Sequence, residues 1–254
     1  MAWFTNPSLL LAGPVLAGSI FLAAPAWAQH TSELGLGLGV TNYKGEVSPQ
    51  LQWQNSRLGG TVFYRKDVSA PVTLRAAFTA GALRATDTNV MGVNSGTAPL
   101  PAYRRVNLKG SVVELSGALE YNFLDYHLRR EQRRVHASPY LFIGLAGFYA
   151  NTTVETENSA LQQQGFNRSG GRFGFAIPAG GGVKVALTER INLGAEMGVR
   201  KTFTDQLDHL SDQDILLVNP RDQDWYYYTG LSVSYTFYSI NCPPVYKHNR
   251  RLLE

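Results

Sequence analysis

The sequence predicts an all-β chain: an eight-stranded antiparallel transmembrane β-barrel of an outer membrane, with a cleaved signal peptide and a short periplasmic C-terminal tail. Three observations predict it. Charged residues make up only 17 % of the chain against 44 % hydrophobic, whereas soluble domains are nearer a quarter charged. Apolar residues recur at every second position in run after run, the period of a strand with one apolar face. Long polar connections alternate with short ones, as they do on the two sides of an outer-membrane barrel.

Composition removes other classes. A mean hydropathy of −0.15 argues against a bundle of membrane helices. One cysteine excludes a disulfide framework within the chain and a Cys-based metal cluster. A net charge of +4, not gathered into a stripe, argues against nucleic acid as a partner.

Residues 1–28 read as the signal peptide. An apolar run over 8–28 ends in Ala26-Trp27-Ala28, a small-residue cleavage pattern. The first seven residues carry no Lys or Arg, which questions the start codon. Residue 29 is Gln, so no lipid anchor is expected there. No later stretch reaches the ~18 apolar residues a spanning helix needs. The barrel is expected over 29–238 and the tail over 239–254.

The first strand alternates Leu34, Leu36, Leu38 and Val40 with glycines. The second carries Leu58, Gly60, Val62 and Tyr64 on one face. In the third, Val72, Leu74, Ala76, Phe78 and Ala80 alternate with Thr73, Arg75, Ala77 and Thr79. In the fourth, Val113, Leu115, Gly117, Leu119, Tyr121 and Phe123 oppose Glu114, Ser116, Glu120 and Asn122. The fifth run, 140–150, is apolar on both sides and its register is open. The sixth carries Phe173, Phe175, Ile177, Ala179, Val183, Val185 and Leu187, with Lys184 opposite. The seventh sets Ile191, Leu193, Ala195, Met197 and Val199 against Asn192, Glu196 and Arg200. The eighth sets Tyr227, Thr229, Leu231, Val233, Tyr235 and Phe237 against Tyr228, Ser232, Ser234 and Thr236.

An apolar sheet in hydrocarbon must close, because an open edge leaves backbone groups unpaired. Eight strands make a small barrel filled by its own side chains. The connections near 44–56, 89–104, 155–171 and 206–223 are long and polar and belong outside. Those near 68–71 and 188–190 are short periplasmic turns; 125–138 is long for one. Tyr43, Tyr64, Tyr121, Phe123, Tyr140, Tyr149, Phe203, Trp225, Tyr226, Tyr235 and Phe237 fall near strand ends and read as two interfacial girdles. A soluble sandwich or lipocalin-like barrel is the competing fold, but it would turn its charges outward.

With the apolar face on lipid, Arg65, Arg75, Glu114, Glu120, Lys184, Glu196 and Arg200 point inward. Buried charges must pair. Arg75 can meet Glu114 or Glu120 on the next strand, and Glu196 lies diagonal to Lys184. Glu114 and Glu120 are too far apart along one strand, at ~20 Å, to work as a catalytic pair. Gly35-Leu-Gly-Leu-Gly39 lacks the helix of a dinucleotide loop, and Gly180-Gly-Gly-Val-Lys184 is not a Walker loop. His30, His127, His136, His209 and His248 have no ligand-spaced partner, and the acidic run Asp205, Asp208, Asp212 and Asp214 lacks the closing pattern of a calcium loop. No cofactor, metal or small-molecule substrate is expected. His209, Ser211 and Asp205 are the only cluster that suits a lipid-modifying rim hydrolase.

Several fragments occur in order: Asn42-Tyr43-Lys44-Gly45-Glu46, Tyr64-Arg65, Leu74-Arg75-Ala76, Ile177-Pro178, Gly182-Val183-Lys184, Gly198-Val199-Arg200-Lys201-Thr202-Phe203-Thr204-Asp205 with Leu207-Asp208, Asp224-Trp225-Tyr226, Ser234-Tyr235 and Cys242-Pro243. Across 33–246 the chain thereby resembles the PorG family, the outer-membrane β-barrel component of the type IX secretion system of Bacteroidetes. The resemblance implies a non-enzymatic subunit of a protein secretion machine. It also implies outer-membrane lipid and a periplasmic ring lipoprotein with its ring partner as neighbours, and no catalytic residues. Two basic segments on the periplasmic side are the candidate contacts: Arg129, Arg130, Arg133 and Arg134 in the turn, and Cys242, Tyr246, Lys247, Arg250 and Arg251 in the tail. The alternatives are a general structural barrel that braces the membrane or adheres through its loops, and the rim hydrolase.

Overall fold

The computed structural model describes residues 31–44, 53–69, 71–86, 103, 105–125, 136–163, 167–203 and 225–238. The expected leader and tail and residues 126–135 of the expected turn lie outside them, as do the His209 cluster and all nine candidate partner contacts. The strands are β1 (Thr31–Lys44), β2 (Arg57–Asp67), β3 (Val72–Thr86), β4 (Val106–Asn122), β5 (His136–Thr156), β6 (Arg168–Ala186), β7 (Ile191–Thr202) and β8 (Trp225–Tyr238). They follow one another around a closed barrel. Antiparallel β1 and β8 close it, from Thr31 opposite Tyr238 to Lys44 opposite Trp225. Closure leaves no free edge, so every strand has a partner on both sides.

Side-chain direction follows the period-two pattern. Leu36, Leu38, Leu58, Leu115, Leu145 and Leu231 are each at least 65 % exposed on the outer wall. Arg65, Glu114, Glu120, Lys184 and Arg200 on the inner wall are at most 3 % exposed. A soluble protein has the reverse arrangement; here the exterior solvent is hydrocarbon. The chain is therefore a transmembrane barrel of the outer membrane. In β5, Leu141, Ile143, Leu145 and Tyr149 face outward, and Tyr140, Phe142, Ala146 and Phe148 face inward.

Part of the expected girdle is corrected. Tyr64, Tyr121, Phe123, Tyr149, Phe203, Tyr235 and Phe237 are exposed on the outer wall, but Tyr43, Tyr140 and Tyr226 are at most 2 % exposed inside. Their parity puts them on the inner face, where the hydroxyls of Tyr140 and Tyr226 donate to Glu196 and Glu114.

The strands are also longer than the patterning suggests. β4 and β5 have 17 and 21 residues, where about 9–11 suffice to cross a bilayer. A five-residue helix, α1 (Ser159–Gln163), sits in the β5–β6 connection. Beyond the hydrocarbon the sidedness inverts. Leu83, Ala85, Val106, Leu108, Ala150 and Val154 turn inward and form a buried apolar cluster with Leu161 of α1. Arg84, Lys109, Asn151 and Glu155 turn outward. This end bears the long connections, so it faces away from the periplasm. There water replaces lipid outside, and the ordinary rule of apolar inside returns. The β5–β6 register skips from Ile143 opposite Ala179 to Ala146 opposite Ala176. The gap falls at Pro178, which has no N–H to contribute.

Candidate functional site in the barrel lumen

The inner wall gathers its charges by register. Arg65 of β2 stands directly opposite Arg75 of β3, a pairing that like charges alone would oppose. Glu120 of β4 resolves it, because Thr73 opposite Glu120 makes Glu120 a diagonal neighbour of Arg75. Its Oε1 accepts from Arg65 Nε at 3.0 Å and Arg75 Nη1 at 3.1 Å. Its Oε2 accepts from Lys184 Nζ at 2.5 Å. Lys184 also donates to Asn122 Oδ1 at 2.9 Å, and Asn122 Nδ2 to Thr73 Oγ1 at 2.9 Å. One carboxylate thus holds three cations from three strands.

The network crosses the barrel. Arg75 forks onto Glu196 of β7, with Nη2 donating to Oε1 at 3.0 Å and Nη1 to Oε2. The Tyr140 hydroxyl donates to Glu196 Oε2 at 2.8 Å. Toward the periplasmic end, Glu33 lies 3.6 Å from Arg65 Nη1 and accepts from Asn192, Ser234 and Thr236 at 2.8–3.2 Å. Arg65 stacks over Phe63, Arg75 over Phe142 and Lys184 over Tyr140, at 4.1, 4.8 and 4.5 Å from the ring centroids. Toward the outer end, Glu114 accepts from Tyr226 and lies 3.4 Å from Arg200 Nε.

All seven inward charges read from the sequence face the lumen. Arg65, Arg75, Glu120, Lys184 and Glu196 join in one cluster, and Glu114 with Arg200 forms a second. Lys184 bonds to Glu120 rather than along the β6–β7 pair. Glu33 was missed. It precedes the first apolar residue of the alternation, though its parity with Gly35 and Gly37 already put it inside. With Glu33 the four acids Glu33, Glu114, Glu120 and Glu196 match the four bases Arg65, Arg75, Lys184 and Arg200.

Chemically the arrangement holds rather than reacts. Glu120 is saturated by cations, and Glu114 and Glu120 serve separate partners. Among the described residues no group of three or more His, Cys, Asp or Glu could hold a metal ion. A depression of about 950 Å³, lined by Leu36, Val62, Phe78, Leu193 and Val233, lies on the outer wall against hydrocarbon. Side chains crossing the lumen obstruct ion flow. Reconstituted in planar bilayers, the barrel is expected to pass no steady current; stable open-channel steps would contradict a filled lumen.

A family model described as "Domain of unknown function (DUF6089)" matches residues 16–246. No curated protein matches the chain. Among solved structures, the chain is similar to Ail, the attachment invasion locus protein of Yersinia pestis, solved with the heparin analogue sucrose octasulfate. Identity is 11 %, coverage is 83 % of this chain and 100 % of that one, and the TM-score is 0.46. It is similar to the outer membrane protein OprG of Pseudomonas aeruginosa, at 13 % identity, 84 % and 97 % coverage and a TM-score of 0.38. It is also similar to a major outer membrane protein of Thermus thermophilus, at 16 % identity, 81 % and 99 % coverage and a TM-score of 0.41.

Proposed function

The chain belongs to the DUF6089 family, and we propose that it is a non-enzymatic outer-membrane subunit of a type IX protein secretion system, docked on its periplasmic side to the secretion ring. The observation that carries the reading is the lumen. Its interior is spent on an ionic network that crosses from β3 to β7, so function falls to the surfaces. The ordered motifs from Asn42-Tyr43-Lys44 to Cys242-Pro243 that resemble the PorG family support the choice of machine. The partner contacts proposed are Arg129, Arg130, Arg133 and Arg134 in the β4–β5 turn, and Cys242, Tyr246, Lys247, Arg250 and Arg251 in the tail. The strand ends that lead into them, Asn122 and His136 for the turn and Tyr238 for the tail, lie at the barrel end that carries the short turns 68–71 and 187–190. Clustered arginines and lysines there suit an acidic ring surface.

Removing residues 243–254 tests the reading. The truncated barrel is expected to insert normally, to lose co-purification with the ring lipoprotein from detergent-solubilised membranes, and to stop secretion. Normal insertion, co-purification and secretion would defeat it and leave the general structural barrel.

A further inference from the structure

We infer that the outer rim of β3 and β4 is a binding site for the phosphate of a membrane lipid headgroup, gripped by Arg84 and Lys109. The two residues stand directly opposite each other on adjacent strands. Both side chains are exposed on the outer wall. Cross-strand neighbours have Cβ atoms ~4.5–5.5 Å apart, and like charges at that distance repel. Inside the barrel the opposed pair Arg65 and Arg75 is reconciled by Glu120. Outside, neither Arg84 nor Lys109 makes an ion pair among the described residues. Among the described residues, the outward acid Glu155 stands opposite Asn107, one outward position beyond Lys109.

Depth identifies the ligand. Along β3 the outward positions Leu74, Ala76, Phe78, Ala80 and Ala82 are apolar, and Arg84 is the first charge after them. Lys109 follows Val113 and Ser111 in the same way on β4. At this level the inner face becomes an apolar core, which marks the end of the hydrocarbon. On the other side of the barrel, Lys44 and Lys201 flank Trp225 in one row across β1, β8 and β7. The Lys201 ammonium lies 5.4 Å from the Trp225 ring centroid. Tryptophan and lysine in one outward row mark headgroup depth. A guanidinium and an ammonium carried by opposed residues at that depth fit a phosphate, the guanidinium by a two-pronged donor face and the ammonium as a point charge.

The full barrel in detergent would be titrated with phosphorylated lipid A, its dephosphorylated counterpart and inorganic phosphate, with bound lipid read by native mass spectrometry. Each basic residue near a charged headgroup is worth about fivefold, so R84Q/K109Q is expected to bind phosphorylated lipid A about 25-fold more weakly. Lys66→Gln, an exposed substitution at the periplasmic end, is expected to change nothing. Both substituted residues are exposed, and retained heat-modifiable migration checks that the variant folds. Equal affinity of wild type and R84Q/K109Q, or equal binding of the dephosphorylated lipid, would overturn the proposal. Tight binding of inorganic phosphate alone would replace it with a free-anion site.

Discussion

Replacing Glu120 with alanine is expected to destabilise the barrel by about 3–5 kcal/mol, because removing one partner of a buried ionic cluster strands the others. Three cations lose their shared acceptor: Arg65, Arg75 and Lys184. Glu120 is 1 % exposed, so neither water nor lipid headgroups can take its place. Arg75 keeps Glu196 and Arg65 keeps Glu33, which limits the loss. Lys184 keeps the uncharged acceptor Asn122. Urea titration of the barrel in vesicles, followed by tryptophan fluorescence, would show a large fall in midpoint. Pairing Glu120→Gln with Lys184→Met should recover part of it, since one uncompensated cation is removed with the acid. A Glu120→Ala variant that unfolds at the wild-type urea concentration would show that the cluster is not what the lumen depends on.

The second large effect lies on the opposite face of the same strand. Leu115 is 67 % exposed on the outer wall, equally far along β4 from Lys109 at the outer rim and from Tyr121 near the periplasmic end. Leu115→Arg is expected to cost about 2–4 kcal/mol, the penalty for an arginine facing lipid near the midplane. Ser111→Arg, one step from Lys109 at the rim, is expected to cost only about 0–1 kcal/mol. Refolding yields and urea midpoints in vesicles would measure the difference. Equal costs at the two depths would mean that the outer wall meets water.

The strands that cross the membrane were legible because a lipid-facing wall obeys one rule: apolar residues keep a single parity for about ten residues. Leu34 to Val40 and Ile191 to Val199 keep theirs from end to end. The parts that were illegible break that rule for a physical reason. In β4 the apolar parity switches at Val112 and Val113, so Val106, Leu108 and Val112 face inward while Val113 and Leu115 face out. The strand does not end there; the solvent outside it changes from lipid to water. The same switch occurs in β3 between Ala82 and Leu83, which hid the outer third of that wall. In β5, small and apolar residues occupy both faces, because Ala146 and Phe148 fill the lumen while Leu145 and Tyr149 meet lipid. Periodicity cannot assign such a run; its neighbours in the barrel do.

The inward charges could be named in sequence, but not their pairing. Arg75 meets Glu196, from a strand on the far side of the barrel. That contact follows from closure and from the narrowness of an eight-stranded cylinder, neither of which is written in local spacing. Three tyrosines were misassigned for a related reason. Strand-end position suggests the headgroup region, whereas parity sends Tyr43, Tyr140 and Tyr226 to the lumen.

Labelling at adjacent positions compares the two faces of one strand directly. Cys242 is the single cysteine, so Cys242→Ser gives a clean background. Single cysteines at positions 115 and 116 would carry a fluorophore, with a quencher attached to the lipid acyl chains in vesicles. Strong quenching at 115 and little at 116 is the predicted result, because Leu115 is 67 % and Ser116 7 % exposed. Equal quenching at both positions, or none at 115, would contradict a closed barrel with lipid outside and charges within.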